Sequence, residues 1–181
     1  MKHLIPLLAA ALLLSGCGPE GRAGDPPAAR ADNPALNAMF NADQKARQDN
    51  HLDLLESMAD AERLAEAKAM LDRGEIRSGA DYFRAAFIFH HSREADDMLK
   101  AHVLATAALA QGHQDAAWIA AASLDRYLQA TERPQIYGTQ FVQTSAETTR
   151  GAFDPDFMPD SLRRDTHVPP LAEQQPPPQI R

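Results

Sequence analysis

The chain has 181 residues, of which 25 are Asp or Glu and 18 are Lys or Arg, so its formal net charge is −7. This acidic balance, without a cluster of basic residues, excludes typical binders of nucleic acid and of anionic lipid, which concentrate Lys and Arg. The length suits a single domain. Because the chain has one cysteine, no intrachain disulfide can form, and its stability must come from a packed core.

The first 16 residues have the pattern of a secretory signal peptide. A short basic start precedes an apolar run over residues 4–14, which is shorter than the about 20 residues that a membrane-spanning helix needs. The run ends at Leu14-Ser15-Gly16-Cys17, which resembles the lipobox of bacterial lipoproteins. The resemblance implies cleavage before Cys17 and attachment of lipid to that cysteine, as a diacylglyceryl group plus an N-acyl group such as palmitate. The alternative, a secreted protein with an incidental thiol, leaves the lone cysteine unexplained.

The resemblance to lipoproteins also implies a location. Since Gly18 rather than Asp follows the cysteine, it implies sorting to the outer membrane, with the domain facing the periplasm. Residues 17–33 are rich in Gly, Pro, Ala and charge and predict a lipidated flexible tether. Residues 34–168 then form the predicted helical domain, and the Pro-rich tail over residues 169–181 is predicted to be disordered.

The spacing of apolar residues between tether and tail predicts an all-α fold of about five helices. Asn33-Pro34 marks the first start, with Asn as the cap and Pro in the first turn. A second amphipathic stretch carries Leu55, Met58 and Leu64. A third helix, after Ser78-Gly79, is apolar on nearly every side, which is typical of a buried helix. We assign four aromatic residues to the core: Phe83, Phe87, Phe89 and Trp118.

The next two helices are predicted to form an antiparallel hairpin over residues 93–132. Ser92 can cap the first of them, and Gly112 lies in the short link between them. After Pro134 the β-branched and aromatic residues 136–142 predict a short strand or an extended segment laid across the helices. The rest of the C-terminal arm has loop composition, apart from one helical turn near residues 159–164.

Several motifs in a fixed order resemble a bacterial family of unknown function. Its members carry an Asp-Gln-x-x-Arg start, a Gln-His-Ala-Asp segment, an Asp-Arg pair and a Pro-Gln-x-Tyr-Gly-Thr-Gln-Phe block. They end near Arg-Arg and Pro-Pro-Leu-Ala-Glu. The matching segments here are Asp43-Gln44-x-x-Arg47, His90-His91, Asp125-Arg126, residues 134–141, Arg163-Arg164 and residues 169–173. This chain differs at His90, where Gln is usual, and at Ser92-Arg93, which replace Ala-Asp. The resemblance implies a shared fold and a candidate site but no activity.

The polar residues of these motifs form the candidate ligand-binding set. Its members are Asp43, Gln44, Arg47, His91, Asp125, Arg126, Gln135, Tyr137, Thr139 and Gln140. They are interpreted in two ways. In one, they line a pocket for a polar ligand, with Arg47 or Arg126 contacting an anionic group. In the other, which we favour, they form a buried polar network that pins the extended segment to the helices.

No cofactor or metal is predicted. A metal site built from His91, His102 and either Asp43 or Asp125 is an alternative, but neither His-x-x-x-His nor Glu-x-x-His occurs. The sequence also lacks the Gly-x-Ser-x-Gly elbow of serine hydrolases and a Gly-rich phosphate loop. These absences leave catalysis without a sequence signature.

The leading hypothesis is therefore a non-enzymatic, membrane-tethered domain that binds another protein or a component of the cell envelope. The second hypothesis is an enzyme or a receptor for a small polar ligand, using His91, Arg47, Tyr137 and Gln140. A third is an immunity lipoprotein that neutralises a toxin.

Overall fold

The computed structural model describes residues 30–49, 53–144 and 147–175, and these ranges form a mostly helical domain, as predicted. The predicted signal peptide, Cys17 and most of the tether lie outside the described residues. The helices are α1 Pro34–Gln48, α2 Leu54–Asp72, α3 Gly79–His90, α4 Ala95–Ala110, α5 Ala116–Ala130 and α6 Asp160–Asp165, and the strands are β1 Val142–Gln143 and β2 Thr148–Thr149. Within these ranges no helix combines the length and the apolar character needed to span a bilayer.

The start of α1 follows the sequence prediction. The Asn33 side chain accepts hydrogen bonds from the amides of Ala35 and Leu36, at 3.0 and 3.2 Å, so it supplies acceptors that the first turn lacks. Pro34 lacks the amide hydrogen and fits the first helical position. The Asn33 amide donates to the Asp81 carboxylate at 2.8 Å. This bond fixes the start of α1 to the first turn of α3.

The central helix is α3, because α1, α2, α4 and α5 all pack against it. It begins with a capping box, in which the Ser78 hydroxyl binds the Asp81 amide and the Asp81 carboxylate binds the Ser78 amide. Phe89 is fully buried, as predicted. Phe83 and Phe87 are only partly buried and pack against the edge of the core.

The predicted antiparallel hairpin is formed by α4 and α5. Alanine is the commonest buried residue in both helices, and small side chains allow close contact between them. Gly112 in the link has a φ of +85°, a conformation that favours glycine.

The start of α4 differs from the prediction. Ser92 was expected to cap this helix, but α4 begins at Ala95 and its cap residue is Glu94, whose side chain makes no capping bond. The Ser92 hydroxyl instead accepts from the Glu94 amide at 3.1 Å and donates to the Asp97 carboxylate at 2.8 Å. Ser92 therefore closes the turn before the helix, two residues earlier in the chain than the N-cap residue Glu94.

Three large hydrophobic side chains expected on buried faces are exposed. Trp118 is 43% exposed and stacks on Phe87, with 6.4 Å between the ring centroids, so its assignment to the core was wrong. Leu55 is 74% exposed and Met58 is 56% exposed. The reason is tertiary: Ala67 is the first buried residue of α2, so the first half of this helix extends beyond the elements that cover its second half.

The C-terminal arm is largely irregular, as predicted. β1 and β2 pair as a two-stranded antiparallel ribbon, and Gln135 forms an isolated parallel bridge with Phe153. Residues 169–175, which were expected to be disordered, return to the domain. The Arg150 guanidinium donates to the Leu171 carbonyl at 3.2 Å, and the Gln174 amide donates to a carbonyl of the arm. Residues 176–181 lie outside the described ranges.

Candidate functional site

The candidate residues separate into two networks. Four of them, on α1 and at the end of α3, form what we name the α1 network: Asp43, Gln44, Arg47 and His91. Five others surround the extended segment and form the arm network: Asp125, Gln135, Tyr137, Thr139 and Gln140. The remaining candidate, Arg126, belongs to neither network. The structure therefore does not bring all ten residues to one place.

The α1 network is centred on the buried carboxylate of Asp43. One of its oxygens lies 2.9 Å from Nη1 of Arg47 and 3.0 Å from Nδ1 of His91. The other accepts from the Gln44 amide at 2.7 Å. Nε of Arg47 also lies 3.0 Å from Nε2 of His91, so the carboxylate, guanidinium and imidazole contact one another in a closed triangle.

This triangle assigns the hydrogen of the imidazole. A guanidinium can only donate, so Nε2 of His91 accepts from Arg47 and the ring hydrogen lies on Nδ1, where it donates to Asp43. Both ring nitrogens are thus engaged within the protein. His91 is positioned rigidly, but it cannot act as a base or as a metal ligand without breaking one of these bonds.

Sequence reasoning missed the extension of this network onto α2. Nη2 of Arg47 lies 3.0 Å from the Asp60 carboxylate, which also accepts from Arg63 at 2.6 Å, and Arg63 in turn pairs with Glu56. Burial raises the pKa of Asp60, but the hydrogen bonds from Arg47 and Arg63 outweigh it and hold that pKa below its ordinary value. The only sequence signal was charge spacing along α2, which is common on solvated helices.

His90, where the resembling family usually has Gln, was not among the candidate site residues. Its ring is buried, and Nδ1 lies 3.1 Å from the Ser123 hydroxyl on α5. Burial lowers the pKa of His90 well below 6.5, and the positive charges of Arg126 and Arg47 lower it further. The imidazole is therefore a neutral core group at physiological pH. Ser123 is fully buried, so this pair is not an exposed nucleophile and base.

The arm network is organised by Asp125 of α5, whose side chain is fully buried. One carboxylate oxygen accepts from the amides of Ile136 and Tyr137, both at 2.9 Å. The other accepts from the amide and the hydroxyl of Thr139, at 2.9 and 2.8 Å. Four donors therefore converge on one carboxylate, which supplies acceptors to a segment that has no strand partner.

Gln135 performs the same task within the arm. Its side-chain oxygen accepts from the Gln140 amide at 2.9 Å, and its nitrogen donates to the carbonyls of Gln140 and Arg150. Between these residues Gly138 has a φ of +72°, and a Cβ there would lie 3.0 Å from the Phe153 ring. The Tyr-Gly-Thr-Gln part of the motif thus serves the conformation of the loop.

Arg163 of α6 completes the arm network and was not among the predicted site residues. Its side chain is fully buried, and its guanidinium donates to the carbonyls of Met158, Tyr137 and Ile136. The Arg163-Arg164 match to the family pattern was the signal that pointed to it. Asp125 and Arg163 bind the same segment in complementary ways. The Asp125 carboxylate accepts from its amides, and the Arg163 guanidinium donates to its carbonyls.

A cleft of about 570 Å³ opens between α2 and the turn that joins α3 to α4. We name it the α2 cleft. Asp60, Leu64, Ile88, His91 and Arg126 are among the residues that line it. Thus two candidate residues, His91 and Arg126, reach a common concave surface. No described residue of the arm network lines it, so Tyr137 does not join them.

The geometry offers no metal centre in the described ranges, where no group of three or more His, Cys, Asp or Glu is arranged to hold an ion. His102, considered together with His91, has its Nδ1 2.9 Å from the Ala120 carbonyl on α5. Asp43 and Asp125 belong to different networks. His91 bonds Asp43 within the α1 network, whereas His102 bonds a backbone carbonyl of α5, so the residues of the alternative metal site do not converge on one position.

No protein-family model, curated protein or solved structure matches the chain. Membership of the family that the tyrosine block resembles therefore stays a prediction.

Proposed function

We propose that this chain is a lipid-anchored binding domain of the bacterial cell envelope, and that its partner is another protein. The signal-like residues 1–16 and the lone Cys17 support the anchor. An outer-membrane location facing the periplasm belongs to the same proposal, because it rests on the resemblance to lipoproteins.

The observation that carries the binding function is the apolar surface at the start of α2. Leu54 is 77% exposed. The next residue, Leu55, and Met58, one turn later, are also mostly exposed. We name these three residues the α2 apolar face. Exposing a cluster of large apolar side chains to water is unfavourable, and such clusters commonly mark sites of protein association.

The opposite side of the same helix is charged and faces the molecule. There Glu56, Asp60 and Arg63 form ion pairs that continue to Arg47 of α1. A surface helix normally buries its apolar side and exposes its charged side. The first half of α2 does the reverse, which is favourable only if a second surface covers the apolar side.

The acidic residues around the α2 apolar face favour a protein partner over the membrane. Asp53 precedes it in the chain, and the exposed Glu62 follows Met58 by one turn on the same side of α2, so anionic lipid headgroups would repel both carboxylates. An apolar groove on another protein meets the same side chains without that repulsion, in the manner of a helix docked in a groove.

The two networks argue against an enzyme that uses His91, Arg47, Tyr137 and Gln140 together. His91 and Arg47 bond to each other and to Asp43, whereas Tyr137 and Gln140 belong to the arm. Catalysis needs such groups to converge on one substrate position. The four residues of the second hypothesis therefore do not form one site.

The test is site-specific photo-crosslinking in cells that express the whole sequence. A photoreactive phenylalanine analogue replaces Leu55 in one strain. In the control strain it replaces Val103, which is 55% exposed on α4 but outside the α2 apolar face. We expect one discrete protein adduct from position 55 and none from position 103. Adding Leu54→Gln and Met58→Gln should abolish the adduct while the melting temperature stays within a few degrees.

Three outcomes would count against the proposal. Equal labelling at positions 55 and 103 would mean unspecific collision. An adduct of twice the mass of the chain would mean that a second copy covers the face. Labelling of lipid alone would mean that the face contacts the bilayer.

A further inference from the structure

Arg126 is the one half-buried arginine of the described ranges that bonds neither a carboxylate nor a backbone carbonyl of a described residue. The other arginines there that are buried or half-buried each bond a carboxylate or a backbone carbonyl, and these are Arg47, Arg63, Arg84, Arg150 and Arg163. No carboxylate or carbonyl of the described residues pairs with Arg126. It lines the α2 cleft, so donors that bond no described residue face a space that a ligand can enter.

The surroundings make the unpaired charge unfavourable. Burial lowers the pKa of Arg126, and the positive charge of Arg47 lowers it further. Arg47 itself is neutralised by Asp43 and Asp60, which leaves none of its partners for Arg126. A bound anion would replace the favourable hydration that the guanidinium loses on burial, because a guanidinium offers paired donors that match a carboxylate or a phosphate.

The rest of the cleft restricts which anion fits. Five acidic residues line it: Asp53, Glu56, Asp60, Glu94 and Asp97. Glu56 and Asp60 are paired with arginines, and Asp97 with Lys68. Glu94 makes no side-chain bond to another described residue, and Asp53 uses one oxygen to cap α2. The exposed Arg93, which also lines the cleft, offsets only one of these two carboxylates. A free dianion would therefore still meet net negative charge, whereas a ligand that also carries an ammonium group would be attracted by it.

We propose that the α2 cleft binds a zwitterionic ligand of the amino-acid or short-peptide class. The ligand carboxylate pairs with Arg126, and its ammonium group lies toward the acidic rim formed by Asp53 and Glu94. His91 and the ion pairs behind it keep the wall of the cleft fixed, and Leu64 with Ile88 supplies an apolar floor. The volume of about 570 Å³ lies within the range of sites for small ligands.

The site is independent of the protein partner proposed above, since the cleft and the α2 apolar face lie on different sides of α2. Loss of the crosslink at position 55 would leave ligand binding in the cleft intact. Equally, a cleft that binds nothing would leave the crosslink unchanged.

The test is calorimetric titration of the whole chain, purified in detergent, with alanyl-alanine as the probe. Acetate, ethylammonium and inorganic phosphate serve as single-charge probes. We expect the dipeptide to bind more tightly than any of the three. Arg126→Gln should weaken its binding about tenfold or more, the usual effect of losing a charge-assisted hydrogen bond. Arg133→Gln is the matched control, because this exposed arginine lies outside the cleft and should bind like the original chain.

Other results would overturn the proposal. Phosphate binding more tightly than the dipeptide would show a simple anion site. Dipeptide binding that survives Arg126→Gln unchanged would place the ligand elsewhere. A dipeptide that shows no binding at millimolar concentration, with Arg126→Gln folded as well as the original chain, would show that Arg126 is only hydrated.

A second variant, Glu94→Gln, should weaken binding of the dipeptide but leave binding of acetate unchanged.

Discussion

At the residue scale, buried carboxylates decide how this domain is held together. Asp43 and Asp125 are both almost completely buried, yet Asp43 accepts from charged and polar side chains while Asp125 accepts chiefly from backbone amides. Burial of a charge is tolerated only when every lone pair has a donor. The sequence could identify both residues as candidates but could not tell which donors each would meet.

His90 gives this scale a pH-dependent consequence. In the unfolded chain its imidazole titrates near the ordinary value of 6.5, whereas burial holds the pKa of the folded state well below that value. Between the two pKa values the unfolded state binds more protons. The free energy of unfolding therefore falls as the pH drops below about 6.5, by at most about 1.4 kcal/mol per pH unit from this group.

We predict that His90→Gln removes this part of the pH dependence. The amide keeps a hydrogen-bonding group near the Ser123 hydroxyl but does not titrate, and it is also the residue usual in the resembling family. Urea unfolding at pH 7.5, 6.5 and 5.5 should show the original chain losing about 1 kcal/mol more than the variant over this range. Replacement of the exposed His167 by Asn should leave the loss unchanged. Parallel curves for the original chain and His90→Gln would contradict the prediction.

At the element scale, the arm is ordered by side chains rather than by a sheet. Its two strands have two residues each, so most backbone groups of residues 135–141 depend on Asp125, Gln135 and Arg163. The change of composition after Pro134 predicted an extended segment. It could not predict that a helix of six residues, α6, would supply the arginine that holds this segment in place.

We predict that Arg163→Met loosens the arm while the helices stay folded. The substitution keeps an apolar stem of similar size but leaves the carbonyls of Ile136 and Met158 without the donor that Arg163 supplies, at a cost of about 1–3 kcal/mol for each group left unpaired in the interior. The Tyr137 carbonyl keeps the Gln174 side-chain amide as a donor. Hydrogen exchange of the amides in residues 135–140 should accelerate by at least tenfold.

The neighbouring arginine provides the control. Arg164 is exposed on the same helix, so Arg164→Met removes an equal charge without a buried bond and should leave the exchange rates unchanged. If both variants exchange alike, the arm does not depend on the guanidinium of Arg163.

At the scale of the whole molecule, the helical domain has no disulfide and relies on the packing of four helices around α3. The single cysteine of the chain, Cys17, is the first residue of the predicted tether and lies outside the described residues. We predict that residues 17–33 act as a flexible tether, which lets the proposed domain approach partners near a membrane without entering it.

We predict that Cys17 is the acylated residue. Cells that express the whole sequence and are fed an alkyne-tagged fatty acid should label the chain in the membrane fraction, and Cys17→Ala should abolish the label because no other thiol is present. Gly18→Asp is the matched control, which should keep the label and move the protein to the inner membrane. Processing that is insensitive to globomycin, or label that persists in Cys17→Ala, would refute the anchor.

Sequence patterns alone were enough to predict the helical class, the start of α1 at Asn33-Pro34, the hairpin of α4 and α5 and the extended segment after Pro134. These features follow from local caps, turns and apolar spacing. Tertiary structure alone decided that Trp118 and Leu55 are exposed, because exposure depends on which neighbour covers a face. It also separated Asp125 from Arg126. Adjacent residues on a helix point about 100° apart, so one carboxylate holds the arm while the next side chain opens into the α2 cleft.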